Sequence, residues 1–215
     1  MIESLLPPAA VGVEAFADLP GEPVFPGEED LVATAVPGRR REFVTGRRCA
    51  REALEQLGVP PAPIRRGESR DPLWPPGVIG SITHCAGYRA AAVARRADMA
   101  ALGIDAEPHE PLPDGVEATV TVPGELAGLA DPAVHWGRLL FSAKESIYKA
   151  WYPLCARWLG FDEVRLAINP ATRTFTGHLL VDGTRLDGEP PLTELRGRYL
   201  IARGLILTTV TVPIV

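Results

Sequence analysis

The chain has 215 residues, enough for one large domain or two small ones with a full core. It is 46% hydrophobic and 23% charged with a net charge of −5, which excludes a nucleic-acid binder that works through a globally basic surface. No apolar run reaches the ~18–20 residues that a membrane-spanning helix needs, so neither nucleic acid nor membrane is an expected partner.

The chain opens with a Pro/Gly-punctuated stretch to Pro26 that has no basic leader, and its one apolar run, Val11 to Phe16, predicts a strand. Gly27 to Ala35 predicts a short helix ended by Pro37 and Gly38. Arg39 to Leu57 predicts a long one, because Phe43, Ala50, Leu54 and Leu57 fall on one stripe at 100° per residue. Arg40, Arg47 and Arg51 line one edge of that stripe and Arg39 starts the other. Arginines beside a buried stripe either pair with acids or converge on a polyanion such as phosphate.

Pro60 to Pro76 reads as a loop carrying Arg65, Arg66 and Arg70. Gly77 to His84 and the alanine-rich run to Arg95 read as two strands joined through Cys85 to Arg89. Thr83 and His84 close the first of them, at a strand end where sheet-borne sites lie. Leu102 to Pro108 predicts the third strand of this first half. Side chains two apart on a strand share a face, so Asp105 and Glu107 project together, roughly 6–7 Å apart at the backbone. Two carboxylates so placed pair with arginines or hold a hard cation such as Mg2+.

An acidic, proline-containing link follows, His109 to Ala133, with Glu117 to Val122 as a short helix or strand. It predicts a boundary between an N-terminal unit, 1–108, and a C-terminal unit, 109–215. His135 to Tyr152 predicts the second long helix, stopped by Pro153, with Leu140, Ile147 and Trp151 on its apolar arc. Lys144 lies within the span of that arc, Glu145 lies at its margin, and Glu145 with Lys149 makes a favourable i,i+4 pair. From Val164 the pattern turns to strands: Val164 to Ile168, Thr174 to Val181, Tyr199 to Ala202 and Leu205 to Val212. The plan is α+β, two pseudo-symmetric units that each pack antiparallel strands on a long helix. Cys49, Cys85 and Cys155 are too far apart for a zinc or disulfide framework and fit a cytoplasmic protein.

Three segments in order, Gly80-Ser-Ile-Thr-His84, Gly103-Ile-Asp-Ala-Glu107 and Phe141-Ser-Ala-Lys-Glu-Ser-Ile-Tyr-Lys149, resemble the larger, monomeric phosphopantetheinyl transferases. The closest likeness is to actinobacterial enzymes that serve polyketide and non-ribosomal peptide synthases. The resemblance implies transfer of the phosphopantetheine arm of coenzyme A to a serine of an acyl or peptidyl carrier protein. It implies Mg2+, or Mn2+, on Asp105, Glu107 and Glu145, with Glu145 as the proposed base and Glu107 able to exchange roles with it. It also implies that Arg39, Arg47 and His84, with Thr83 beside it, hold the 3′-phosphate and adenine end, that Arg66 reaches phosphate from its loop, and that Lys144 and Lys149 face the pyrophosphate. The alternative is a non-catalytic coenzyme A or nucleotide binding protein that keeps the same pocket.

Overall fold

The computed structural model describes residues 1–214. Its first unit holds β1 (Ala10–Ala15), α1 (Pro37–Gln56), the two-residue strands β2 (Arg65–Arg66) and β3 (Pro72–Leu73), β4 (Val78–Cys85) and β5 (Tyr88–Arg95). Next come β6 (Ala101–Pro108), α2 (Val116–Val120) and α3 (Trp136–Cys155). The chain ends in β7 (Val164–Asn169), β8 (Thr174–Leu179), β9 (Glu194–Ala202) and β10 (Leu205–Val212). Gly27 to Ala35 forms only a 3-10 turn, Glu29–Val32. Pro153 lies inside α3 rather than ending it. So near the C-terminus its missing N–H forfeits a single intrahelical bond, and the helix stops instead at Ala156, which adopts a left-handed φ of 48°.

The architecture is α+β. A three-stranded antiparallel sheet, β1-β5-β4, packs on α1, and a five-stranded one, β6-β10-β9-β8-β7, packs on α3. The alanine run in β5 has a packing reason. Ala91 and Val93 meet Ala50, Ala53 and Leu54 of α1, while Ala90, Ala92 and Ala94 meet Leu102, Ile104, Leu205 and Leu207 of the second sheet. A strand covered closely on both faces needs small side chains.

The strand that carries Asp105 and Glu107 is a correction to the sequence reading. β6 forms no backbone ladder with the first sheet; it pairs along its length with β10, setting Asp105 opposite Thr208. Chain order suggested the nearer neighbour, but the Thr/Val-rich β10 supplies the backbone partner. The change of sheet falls between Arg95 and Ala101. The free edge of β6 is still satisfied. The N–H groups of Ile104 and Ala106 donate to the hydroxyls of Ser81 (3.1 Å) and Thr83 (3.0 Å) on β4. Side-chain oxygens thus replace the backbone ladder an edge strand would otherwise lack.

Gly103 explains the glycine before the acid pair. A Cβ there would lie 2.0 Å from the Ser146 carbonyl and 2.8 Å from the Ala150 nitrogen, so α3 rests directly on the β6 backbone. Gly103→Ala is expected to lower stability by about 1–3 kcal/mol, as overpacking does. The test is a urea titration; a wild-type midpoint would show that helix and strand separate without cost.

Candidate active site

Asp105 is 5% exposed and its two oxygens differ. Oδ1 accepts from the Lys149 ammonium at 2.7 Å and from the Thr83 hydroxyl at 3.3 Å. Oδ2 is buried and has no hydrogen-bond partner among the described residues. Lys149 reaches Asp105 from α3 and also donates to the Ile104 carbonyl at 3.1 Å. Its ammonium therefore binds across to β6 instead of completing the i,i+4 pair with Glu145.

Glu145 stands half-buried, and its carboxylate accepts no hydrogen bond among the described residues. Burial and the charge of Asp105 push its pKa up, and Lys149 opposes the rise. Glu107 is raised by burial and by Asp105 in the same way, but it is engaged: Arg138 donates to Glu107 Oε2 at 2.9 Å. Arg138 also binds the carbonyls of Glu110 and Pro111, pinning the start of the link to α3. Among the described residues no three acidic, histidine or cysteine groups cluster closely enough to hold a metal by themselves.

Glu145 and Lys149 of α3 line a cavity of about 610 Å³ whose other walls are the segment from Ser69 through β4 and the start of β6. Trp74, Ile82, Leu102, Tyr148 and Tyr152 give it apolar walls. Trp74 is fixed by a hydrogen bond from its indole to the Gly80 carbonyl at 3.0 Å, over a residue where any Cβ would strike the ring.

The basic cluster lies on the α1 side. Arg39 donates to His84 Nε2, which makes His84 an acceptor there and neutral. Burial and the Arg39 charge lower the pKa of His84, with Glu42 opposing. Arg47 is buried over the Phe43 ring at 3.7 Å, with Nε donating to the Ile64 carbonyl at 3.0 Å. Among the described residues the two terminal nitrogens of Arg47 make no hydrogen bond. Its pKa falls to about 10 because of burial and the charges of Arg66, Arg51 and Arg39, with Glu28 opposing. Arg66 is exposed at the rim of this group and has no ion pair among the described residues. Arg40 is exposed and Arg51 binds Glu28, so both stand apart from the site.

Lys144 is the second correction. Its ammonium is 2% exposed as a residue and bonds Glu125 (3.0 Å) and the carbonyls of Val120 and Phe161 (2.9 and 2.7 Å), so it does not join Lys149 and the acids. One residue of register, about 100° around the helix, decides this: Lys144 is buried against Glu125 while its neighbour Glu145 lines the cavity. The sequence reading missed Arg138, although it lies seven residues before Glu145 and hence on the same helix face. It also missed Glu28, Glu42 and Glu125, acids on α1 and in loops for which no periodic signal exists.

The family comparisons decide the class of this site. Residues 27–94 match the model of the 4′-phosphopantetheinyl transferase N-terminal domain, and residues 101–199 match that of the 4′-phosphopantetheinyl transferase superfamily. The chain belongs to the 4′-phosphopantetheinyl transferases. It is 54% identical to 4′-phosphopantetheinyl transferase Svp of Streptomyces mobaraensis, over 99% of this chain and 89% of that protein. It is 50% identical to PptT of Mycobacterium tuberculosis (strain ATCC 25618 / H37Rv), over 92% of this chain and 89% of the relative. With Npt of Nocardia iowensis the identity is 48%, over 98% and 99%. The protein is thus an enzyme that transfers phosphopantetheine from coenzyme A to a carrier protein. Among the described residues no helix is long and apolar enough to cross a membrane.

Proposed function

We propose that the transfer occurs between the acid group on β6 and α3 and the basic cluster on α1. The observation that carries this reading is a buried, unpartnered Asp105 Oδ2 whose other oxygen is held by Lys149, a residue that lines one cavity together with the free Glu145 carboxylate. Hard, partnerless oxygens with phosphate oxygens and water to complete the shell fit Mg2+ or Mn2+. When bound, the metal supplies neutralisation of charge on the pyrophosphate. Asp105 and Glu145 are its proposed protein ligands, and Glu107 contributes through its ion pair with Arg138.

The chain's own residues do the rest. Glu145 takes the proton of the carrier serine. The serine oxygen forms a bond to the phosphorus that bears pantetheine, and the pyrophosphate P–O bond breaks to release adenosine 3′,5′-bisphosphate. Lys149 fixes Asp105 and adds a positive charge beside the reacting phosphate. Arg47, Arg39, Arg66 and His84 take the 3′-phosphate and adenine end, with Thr83 holding Asp105 and the β6 edge. The apolar cavity takes the pantetheine arm. Acceptors are proposed to be acyl and peptidyl carriers of polyketide and non-ribosomal peptide synthases, in keeping with the actinobacterial relatives. Three free cysteines suit a cytoplasmic enzyme, proposed to act as a monomer.

The test is the mass of an apo carrier protein incubated with the enzyme and coenzyme A, with Mg2+ or with a chelator. A gain equal to the phosphopantetheine arm is expected with Mg2+ only. An equal gain in chelator would remove the metal from this reading and leave the transfer intact.

A further inference from the structure

Glu28 is 0% exposed, a buried carboxylate on a loop with no place in the chemistry above. Its Oε1 accepts from Arg51 at 2.9 Å and from the Ile64 N–H at 2.7 Å. Its Oε2 lies 4.0 Å from Arg47 Nε and has no hydrogen-bond partner. The Ile64 peptide is therefore held at both ends, its N–H by Glu28 and its carbonyl by Arg47. Two residues on, the same loop acts again: Asp30 grips Arg65 with both oxygens, at 2.5 and 2.8 Å. Neighbouring strand residues point to opposite faces. Holding Arg65 toward Asp30 thus turns Arg66 away, toward the side where its charge is felt by Arg47.

A buried charge is not kept without a counter-charge that needs it. Glu28 faces Arg51 directly and Arg47 at longer range, and its charge also reaches Arg65. Arg51 stacks on Phe25 at 4.2 Å and spends a terminal nitrogen, Nη1, on Glu28. Arg47, in contrast, spends only Nε on the protein and leaves its terminal nitrogens for a ligand.

We propose that Glu28 is a positioning residue for recognition of the coenzyme A 3′-phosphate: it sets Arg47 and the Ile64–Arg66 strand so that both guanidinium groups meet that phosphate. This rests on the reading of the arginine cluster given above. Glu28 touches no ligand; it acts by fixing the donors that do. Freely moving arginines must be ordered at each binding event, which weakens affinity.

The experiment compares coenzyme A with 3′-dephospho-coenzyme A as substrates for wild type and Glu28→Gln. Wild type is expected to show the lower KM for coenzyme A. In Glu28→Gln the KM for coenzyme A is expected to rise about tenfold, the scale of a lost charge-assisted contact. The KM for the dephospho form and both kcat values are expected to stay near wild type. If Glu28→Gln does not fold, Glu28→Asp keeps the charge but withdraws it by one methylene, and the same ratio is read. A wild type that discriminates and a variant that discriminates equally would overturn the inference and leave the cluster's role standing. A wild type that does not discriminate would overturn the cluster's role, and the inference with it.

Discussion

Glu145→Gln is expected to lose about two to four orders of magnitude in kcat while coenzyme A still binds, the range typical for loss of a general base. The two side chains have nearly the same shape, so the cavity wall, α3 and the Lys149–Asp105 contact stay in place. What disappears is a carboxylate that accepts nothing from the protein, the group proposed to take the serine proton. Burial and the Asp105 charge raise its proton affinity, which makes it a better acceptor for a serine proton than an exposed glutamate. The sign of the pH effect follows. A protonated Glu145 cannot accept, so wild-type kcat falls as pH drops, and this acid limb is absent from the variant. The check is kcat against pH at saturating coenzyme A, with Mg2+ varied. A variant restored by raised Mg2+ would leave Glu145 its metal-ligand role and take the base role from it. A variant with the wild-type rate and the same acid limb would move the base to Glu107.

Most of the fold could be read from the chain because its signals are local. The stripe of Phe43, Ala50 and Leu54 and the arc of Leu140, Ile147 and Trp151 predict both long helices, and alternation in Leu102–Pro108 predicts the strand with the acids. What could not be read is which strand a strand pairs with. β6 lies against β4 through hydroxyls and against β10 through its backbone, and both partners offer the same face pattern. Sheet pairing depends on contacts far apart in sequence, and periodicity carries no information about them.

The site shows the same division. Asp105, Glu145 and Lys149 are brought together by β6 and α3, each placed by its own periodicity. Glu28 and Glu125 act from loops, where no spacing fixes direction. Lys144 could have been read either way. Its place within the apolar arc pointed to burial, and its place beside Glu145 in a motif pointed to chemistry. The wheel was the better guide, because a side chain's direction on a helix follows from its angle and not from its sequence neighbour.

That distinction yields the second large effect. Lys144→Met is expected to lower stability by about 3–5 kcal/mol, the cost of leaving a buried charge without its partner. Glu125 is 7% exposed as a residue and its carboxylate is enclosed, so the variant strands it without its ion-pair partner. The Val120 and Phe161 carbonyls would also lose their donor, which loosens the link before α3 and the turn after it. Removing both charges, as Lys144→Met with Glu125→Leu, is expected to recover only part of the loss. Glu125 accepts from the N–H groups of Val122 and Leu166 as well, and each stranded N–H costs about 1–3 kcal/mol. Urea denaturation of the three proteins measures these values directly. If Lys144→Met unfolds at the wild-type midpoint and only turnover falls, the ammonium belongs to the chemistry. If stability falls as stated while turnover per folded molecule holds, Lys144 serves catalysis only by keeping the Glu145 helix where β6 meets it.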